Sequence, residues 1–135
     1  MKYDVELLQI MSLFEKITHV KLKDAIYFKE KLIFIIPEGS LQRALGKNKA
    51  NVEKIETAIN RKIKIVEYSP DKLKFIKNVM SPLKMLEISE ADGVVTIKGP
   101  DQKTKGLMIG ARAQNLRLYE EIVRKYHDLN EIKVI

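Results

Sequence analysis

The chain repeats itself, and that repeat limits its fold more than any other feature. Gly46 and Gly110 stand 64 positions apart, and their surroundings match at the same offset: Leu45 with Ile109, Asn51 with Asn115, Val52 with Leu116. Each glycine separates a short apolar-patterned segment from a longer one. Self-similarity at one spacing marks a duplicated structural unit. The 135 residues therefore divide into two halves, residues 1–68 and 69–135. A half of that length is close to the lower limit for an independent core, because a short chain hides a smaller share of its surface on folding. The join falls near Tyr68-Ser69-Pro70, with no Gly/Ser-rich stretch, which predicts halves that pack with little freedom.

Each half runs through the same order of elements. Asp4 is placed to cap a helix whose apolar residues Leu7, Ile10, Met11, Phe14 and Ile17 share a face. Ala25-Ile26-Tyr27-Phe28 and Leu32-Ile33-Phe34-Ile35-Ile36 are β-branched and aromatic runs separated only by Lys29-Glu30-Lys31, and predict a hairpin. After Pro37-Glu38-Gly39-Ser40 comes a short helix, Leu41 to Leu45, interrupted by Gly46-Lys47-Asn48-Lys49. A further helix with Val52, Ile55 and Ile59 on one face leads to a strand at Ile63-Lys64-Ile65-Val66.

In the second half, Ser69-Pro70-Asp71 opens a helix carrying Leu73, Ile76, Val79 and Met80, with Pro82 past its end. Leu83 to Ile88 and Val94 to Ile97 predict strands joined through Asp92-Gly93. Gly99-Pro100-Asp101 opens a helix to Ile109, and Gly110-Ala111-Arg112-Ala113 interrupts it. A longer helix with Leu116, Tyr119, Ile122, Val123 and Tyr126 on one face precedes a last strand, Ile132-Lys133-Val134-Ile135. The order α-β-β-α-α-β, met twice, predicts an α+β fold with a three-stranded sheet packed on helices in each half. Phe14, Tyr27, Phe28, Phe34, Phe75 and Tyr119 fall mostly in register with apolar faces and read as core.

Charge points to the kind of partner. The net charge is +7, with 13 basic against 9 acidic side chains in residues 1–68 and 12 against 9 in residues 69–135. Both glycines lie in stretches without any acid, Gly39 to Val52 and Gln102 to Tyr119. Arg43, Lys47 and Lys49 stand in the first, and Lys103, Lys105, Arg112 and Arg117 in the second. A glycine lets a nucleic-acid backbone approach the main chain. The helix after it presents unpaired N–H groups and a positive dipole end, where phosphate is favoured. The candidate contacts are Arg43, Gly46, Lys47, Asn48, Lys49 and Asn51 in the first elbow, and Gly110, Ala111, Arg112, Ala113, Asn115 and Arg117 in the second. Aromatic residues are only 7%, which suits an apolar groove for bases better than a stacking platform.

The segments Leu45-Gly46-Lys47-Asn48-Lys49-Ala50-Asn51-Val52 and Ile109-Gly110-Ala111-Arg112-Ala113-Gln114-Asn115-Leu116 resemble the KH signature, Ile/Val-Gly-x-x-Gly-x-x-Ile/Leu between two helices. The order of elements resembles the type II form of that domain. Two such domains in tandem, residues 1–68 and 69–135, resemble the archaeal NusA-like transcription factors, in which the pair forms a rigid RNA-binding unit. That resemblance implies a clamp on the backbone of single-stranded RNA. It further implies the nascent transcript as ligand, RNA polymerase as a further partner, a role in transcription termination or antitermination, and no cofactor. Val52 and Leu116 would then face a base-binding groove or simply fill the core. The second glycine of each signature is replaced, by Lys49 and by Ala113. A positive φ there would strain both residues, whereas a helical φ would make the replacement harmless. Lys49 adds a phosphate contact and Ala113 adds none, so the second elbow is the weaker, with Arg112 its best residue.

Other chemistries find less support. Without cysteine there are no disulfides, thiolate metal sites, iron–sulfur clusters or cysteine nucleophiles. His19 and His127 are the only histidines and read as solvated residues at helix ends. The glycine before Gly46-Lys47 is Gly39, too distant for a P-loop, and Asn48 occupies the hydroxyl position. Acids are scattered, and Glu120-Glu121 read as a solvated helical face, so no catalytic pair is predicted and an enzyme is not expected. The longest apolar run is five residues, Leu32 to Ile36, and Met1-Lys2-Tyr3-Asp4 does not begin a signal peptide. A cytoplasmic protein without membrane association is expected. Two rival readings stay open: a ribosome-associated or ribosome-assembly KH protein, and a protein–protein scaffold with degenerate loops.

Overall fold

A computed structural model describes residues 4–135. Met1, Lys2 and Tyr3, on which the reading of the N-terminus leans, lie outside the described residues. The chain forms two compact units, Met1–Tyr68 and Ser69–Ile135.

In the first unit, helix α1 (Val5–Thr18) starts at Asp4, whose carboxylate accepts the Leu7 N–H at 2.6 Å. It ends at His19, in the left-handed region at φ 59°. Strands β1 (Asp24–Phe28) and β2 (Lys31–Ile36) pair antiparallel, and β3 (Lys62–Glu67) lies parallel on the other side of β2. The hairpin loop is only Lys29-Glu30, since Lys31 already belongs to β2 and pairs with Phe28. β2 is the central strand, and Leu32 through Ile36 are all buried. A continuous apolar run, not an alternating one, is what a strand covered on both faces requires. Leu32, Phe34 and Ile36 meet Leu7, Ile10 and Phe14 of α1, together with Ala44 and Ile55 from helices α2 (Leu41–Leu45) and α3 (Ala50–Ile59). The Phe14 and Phe34 rings stack at 4.4 Å. Tyr27 departs from the expected core: it is exposed, with the Arg61 guanidinium 4.9 Å from its ring centre. Its strand lies at the sheet edge and has an outer face.

The second unit repeats this arrangement. Asp71 caps α4 (Lys72–Met80), and its carboxylate accepts the N–H groups of Leu73 and Lys74. Asp101 likewise caps α5 (Gln102–Ile109), taking the Thr104 N–H at 2.7 Å. Strands β4 (Glu87–Ala91), β5 (Val94–Lys98) and β6 (Glu131–Val134) form a sheet in the order β4-β5-β6. Phe75, Ile76, Met80, Val95, Ile97, Met108, Ile122 and Val123 are buried, the last two from α6 (Gln114–Arg124).

Three expectations in this unit need correction. The first strand occupies Glu87–Ala91, four residues later than the apolar run Leu83 to Ile88 predicted. Pairing outward from Asp92-Gly93 decides this: β5 ends at Lys98, so the ladder stops at Glu87, and Gly99-Pro100 offers no further strand. The last helix ends at Arg124, yet Tyr126 beyond it still packs edge-on against Phe75 at 5.5 Å. His127 is not a solvated residue; it is half-buried, with Nε2 2.9 Å from the Ser69 carbonyl oxygen.

One long-range device recurs in both units. Glu56 of α3 accepts the Ile63 N–H at 2.9 Å, and Glu120 of α6 accepts the Ile132 N–H at 2.8 Å. Each glutamate thus ties the helix after the glycine to the strand that follows. Glu120 is fully buried, so the expectation of a solvated Glu120-Glu121 face holds for exposed Glu121 alone. Adjacent helical residues point in different directions, and Glu120 points to the sheet.

Candidate nucleic-acid interface

The two elbows have nearly the same backbone. Gly46 closes α2 at φ 75°, ψ 176°, and its N–H donates to the Gln42 carbonyl. Gly110 closes α5 at φ 75°, ψ 173°, and its N–H donates to the Gly106 carbonyl. This region of backbone space is practically reserved for glycine. A side chain would also find no room: a Cβ on Gly46 would lie 2.8 Å from Asn51 Nδ2, and one on Gly110 2.7 Å from Asn115 Cγ. A tight turn follows each glycine, closed by the Lys49 N–H donating to the Gly46 carbonyl and the Ala113 N–H to the Gly110 carbonyl, both at 3.2 Å.

The missing second glycines carry strain. Lys49 has φ 59° and Ala113 φ 60°, and the residues before them, Asn48 and Arg112, are left-handed too, at φ 56° and 54°. Of the two possibilities open in the sequence, the positive φ is the one realised. Asn tolerates this region; Lys, Arg and Ala each add about 1 kcal/mol or more.

Asn51 and Asn115 have an internal task. The Asn51 side-chain N–H donates to the carbonyls of Ala44 and Arg43 at 3.2 and 3.3 Å, and that of Asn115 to the Leu107 carbonyl at 2.8 Å. Each amide closes the carbonyl end of the short helix from the start of the long one, and so sets the elbow's angle. Both were expected among the ligand contacts; both are half-buried supports.

The cations lie outside. Arg43, Lys47, Asn48 and Lys49 are exposed, as are Ala111, Arg112 and Arg117; Gly46, Gly110 and Ala113 are half-buried. Among the described residues Arg43, Lys47, Lys49 and Arg112 take part in no ion pair. Arg117 differs, because its Nη1 donates to Glu120 at 2.9 Å. It neutralises a buried carboxylate, and moving it to a ligand would leave that charge unpaired. Val52 is half-buried and Leu116 buried.

Helix capping sets these elbows apart. Asp4, Asp71 and Asp101 cap α1, α4 and α5. Glu67 reaches across from β3 to the start of α2, accepting the Gly39 N–H at 2.7 Å. No side chain caps α3 or α6. The N–H of the first residue of each, Ala50 and Gln114, donates back to the Lys47 and Ala111 carbonyls, and the turn of two left-handed residues before it is a concave main-chain arrangement that attracts anions.

Two α+β units, each with an uncapped, cation-bearing glycine elbow, define a duplicated helix–glycine–helix protein. No family model matches the chain. It is 31% identical over 125 residues to the probable transcription termination protein NusA of Methanocaldococcus jannaschii, covering 90% of this chain and 68% of that protein. The protein of the same name from Thermoplasma acidophilum is 28% identical, with 97% and 93% covered. The crystal structure of APE1850 superposes with a TM-score of 0.70 and 27% identity, over 98% of this chain and 100% of that one. The chain belongs to the archaeal NusA-like family. Among the described residues no helix is long and apolar enough to cross a membrane.

Proposed function

We propose that the chain is a tandem type II KH protein that binds single-stranded RNA and acts on nascent transcripts in termination or antitermination. It works by binding, without catalysis. The observation that carries the reading is the pair of uncapped helix starts among unpaired cations, in a chain that caps its other four helices with carboxylates. Phosphate takes the capping place that no side chain fills at each. The relatives' names support a role in transcription over one on the ribosome, and this reading takes RNA polymerase as the companion partner. Within the pair, Gly46–Lys49 is the stronger clamp, supported by Arg43. The second elbow offers chiefly Arg112, since Ala111 and Ala113 are uncharged and Arg117 serves Glu120.

Replacing Lys47 and Asn48 with aspartate tests this. Asp tolerates the left-handed backbone that Asn48 adopts, so the fold is kept. Affinity for a mixed-sequence single-stranded RNA should fall at least about tenfold in a gel shift, with the melting temperature hardly moved. Unchanged affinity would clear the first elbow of any role. Equal binding of duplex DNA by the unaltered chain would refute the single-strand reading.

A further inference from the structure

The duplication allows each unit to serve as a control for the other. Lys23 and Leu86 occupy the same place, each donating its N–H to the strand opposite, to Ile35 and to Lys98, both at 2.8 Å. Arg43 and Leu107 also correspond, one residue before the buried pair Ala44 and Met108 in the short helix. The first unit thus presents two cations where the second presents two leucines. Those leucines are open to solvent, Leu86 by 60% and Leu107 by 50%. The fold does not demand them, because the first unit fills the same places with Lys and Arg.

Leu86 lines a groove of about 490 Å³, with Pro82, Leu83, Met85 and Pro100 as its other apolar walls and Thr104 at its side. Leu107 lies one helical turn beyond Thr104 on the same face of α5. The rim is basic. Lys84 lines the groove, Lys103 is exposed on α5, and the Lys105 stem lies against bare Gly99, where a Cβ would come 2.5 Å from its Cγ. The single acid in the lining, Asp101, is turned to the start of α5, where the Thr104 N–H and hydroxyl hold its carboxyl below the usual range.

We propose that this groove docks an acidic protein segment that inserts two apolar side chains. Apolar walls take the anchors, and the lysine rim matches carboxylates around them. RNA is the less suitable occupant, because the two positions that carry cations in the first unit, Lys23 and Arg43, carry leucine here. The site does not rest on the RNA-binding reading, since none of the second elbow's candidate contacts, Gly110 to Ala113, Asn115 or Arg117, lines the groove.

The test uses the full chain, isotope-labelled for amide NMR, and a synthetic peptide with two leucines one helical turn apart among glutamates. Shifts should be confined to residues 82–86 and 100–107. The double variant Leu86→Lys/Leu107→Arg carries the first unit's own residues at exposed positions. It should bind the peptide about tenfold or more weakly while keeping its melting temperature and losing no RNA affinity. The milder Leu86→Ala/Leu107→Ala should weaken binding in the same direction. Equal binding of a peptide with lysines in place of the glutamates would overturn the proposal. So would an oligouridylate that shifts these amides and excludes the acidic peptide, or shifts at the same residues that grow with protein concentration alone.

Discussion

At the scale of single residues, the elbows store strain that another sequence could avoid. Ala113 sits at φ 60° without a side chain that gains anything there. Ala113→Gly should raise the unfolding free energy by about 0.5–1 kcal/mol, the relief of left-handed strain less the greater freedom glycine gives the unfolded chain. Urea titration measures it, and a loss of stability would contradict the left-handed geometry. Lys64 supplies a pH-dependent counterpart. Burial, with repulsion from Lys31 added, lowers its pKa from 10.5 to about 8. The unfolded chain then holds this proton to higher pH than the folded one, so stability rises as pH climbs from about 8 to 10.5. Lys64→Met should be the more stable chain below pH 8, by on the order of 2 kcal/mol after allowing for partial exposure, with the gap closing by pH 10.5. A gap constant with pH would show that Lys64 keeps its proton equally in both states.

At the scale of elements, the glutamate between the long helix and the last strand is the joint that most affects the elbow's support. Glu120 is 1% exposed and holds both the Ile132 N–H and Arg117. Glu56 makes the matching bond with a side chain 23% exposed. Removing Glu120 strands a buried N–H, whereas water can reach the one freed by removing Glu56. Glu120→Ala should therefore lose about 2–3 kcal/mol and Glu56→Ala about 1 kcal/mol. Denaturant unfolding compares the two, and equal losses would refute the role of burial. Legibility differs between elements for similar reasons. Leu32 to Ile36 announces a central strand, because a continuous apolar run needs two covered faces. Leu83 to Leu86 imitates one, yet its neighbour β5 has already ended. Pairing partners are not written in local composition.

At the scale of the whole molecule, basic residues are spread over both halves, and Arg43, Lys47, Lys49 and Arg112 stand at or beside the elbows in stretches without any acid. Four to six phosphates neutralised there would give a log K against log salt slope of roughly −3 to −4 for a single strand. Filter binding across a salt series measures it. A flat response would remove the electrostatic basis of RNA binding. The Lys47→Asp/Asn48→Asp chain should show a slope shallower by roughly 1, whereas Leu86→Lys/Leu107→Arg should not become shallower.

The sequence by itself determined the duplication, the order of elements in each half, and the glycine elbows with their cations. These rest on periodicity and spacing, which local chemistry imposes on any chain with this pattern. The Gly46 and Gly110 cradle was legible as a need for bare backbone. Its tightness was not, because Asn51 and Asn115 reach it only once the helices have turned back on themselves. Only the tertiary structure decided that Lys49 and Ala113 are left-handed, that Arg117 answers a buried Glu120, and that Tyr27 faces outward. Each depends on what lies across a sheet or beside a helix. A side chain's duty is set by the neighbours that folding brings to it, and a linear pattern does not name them.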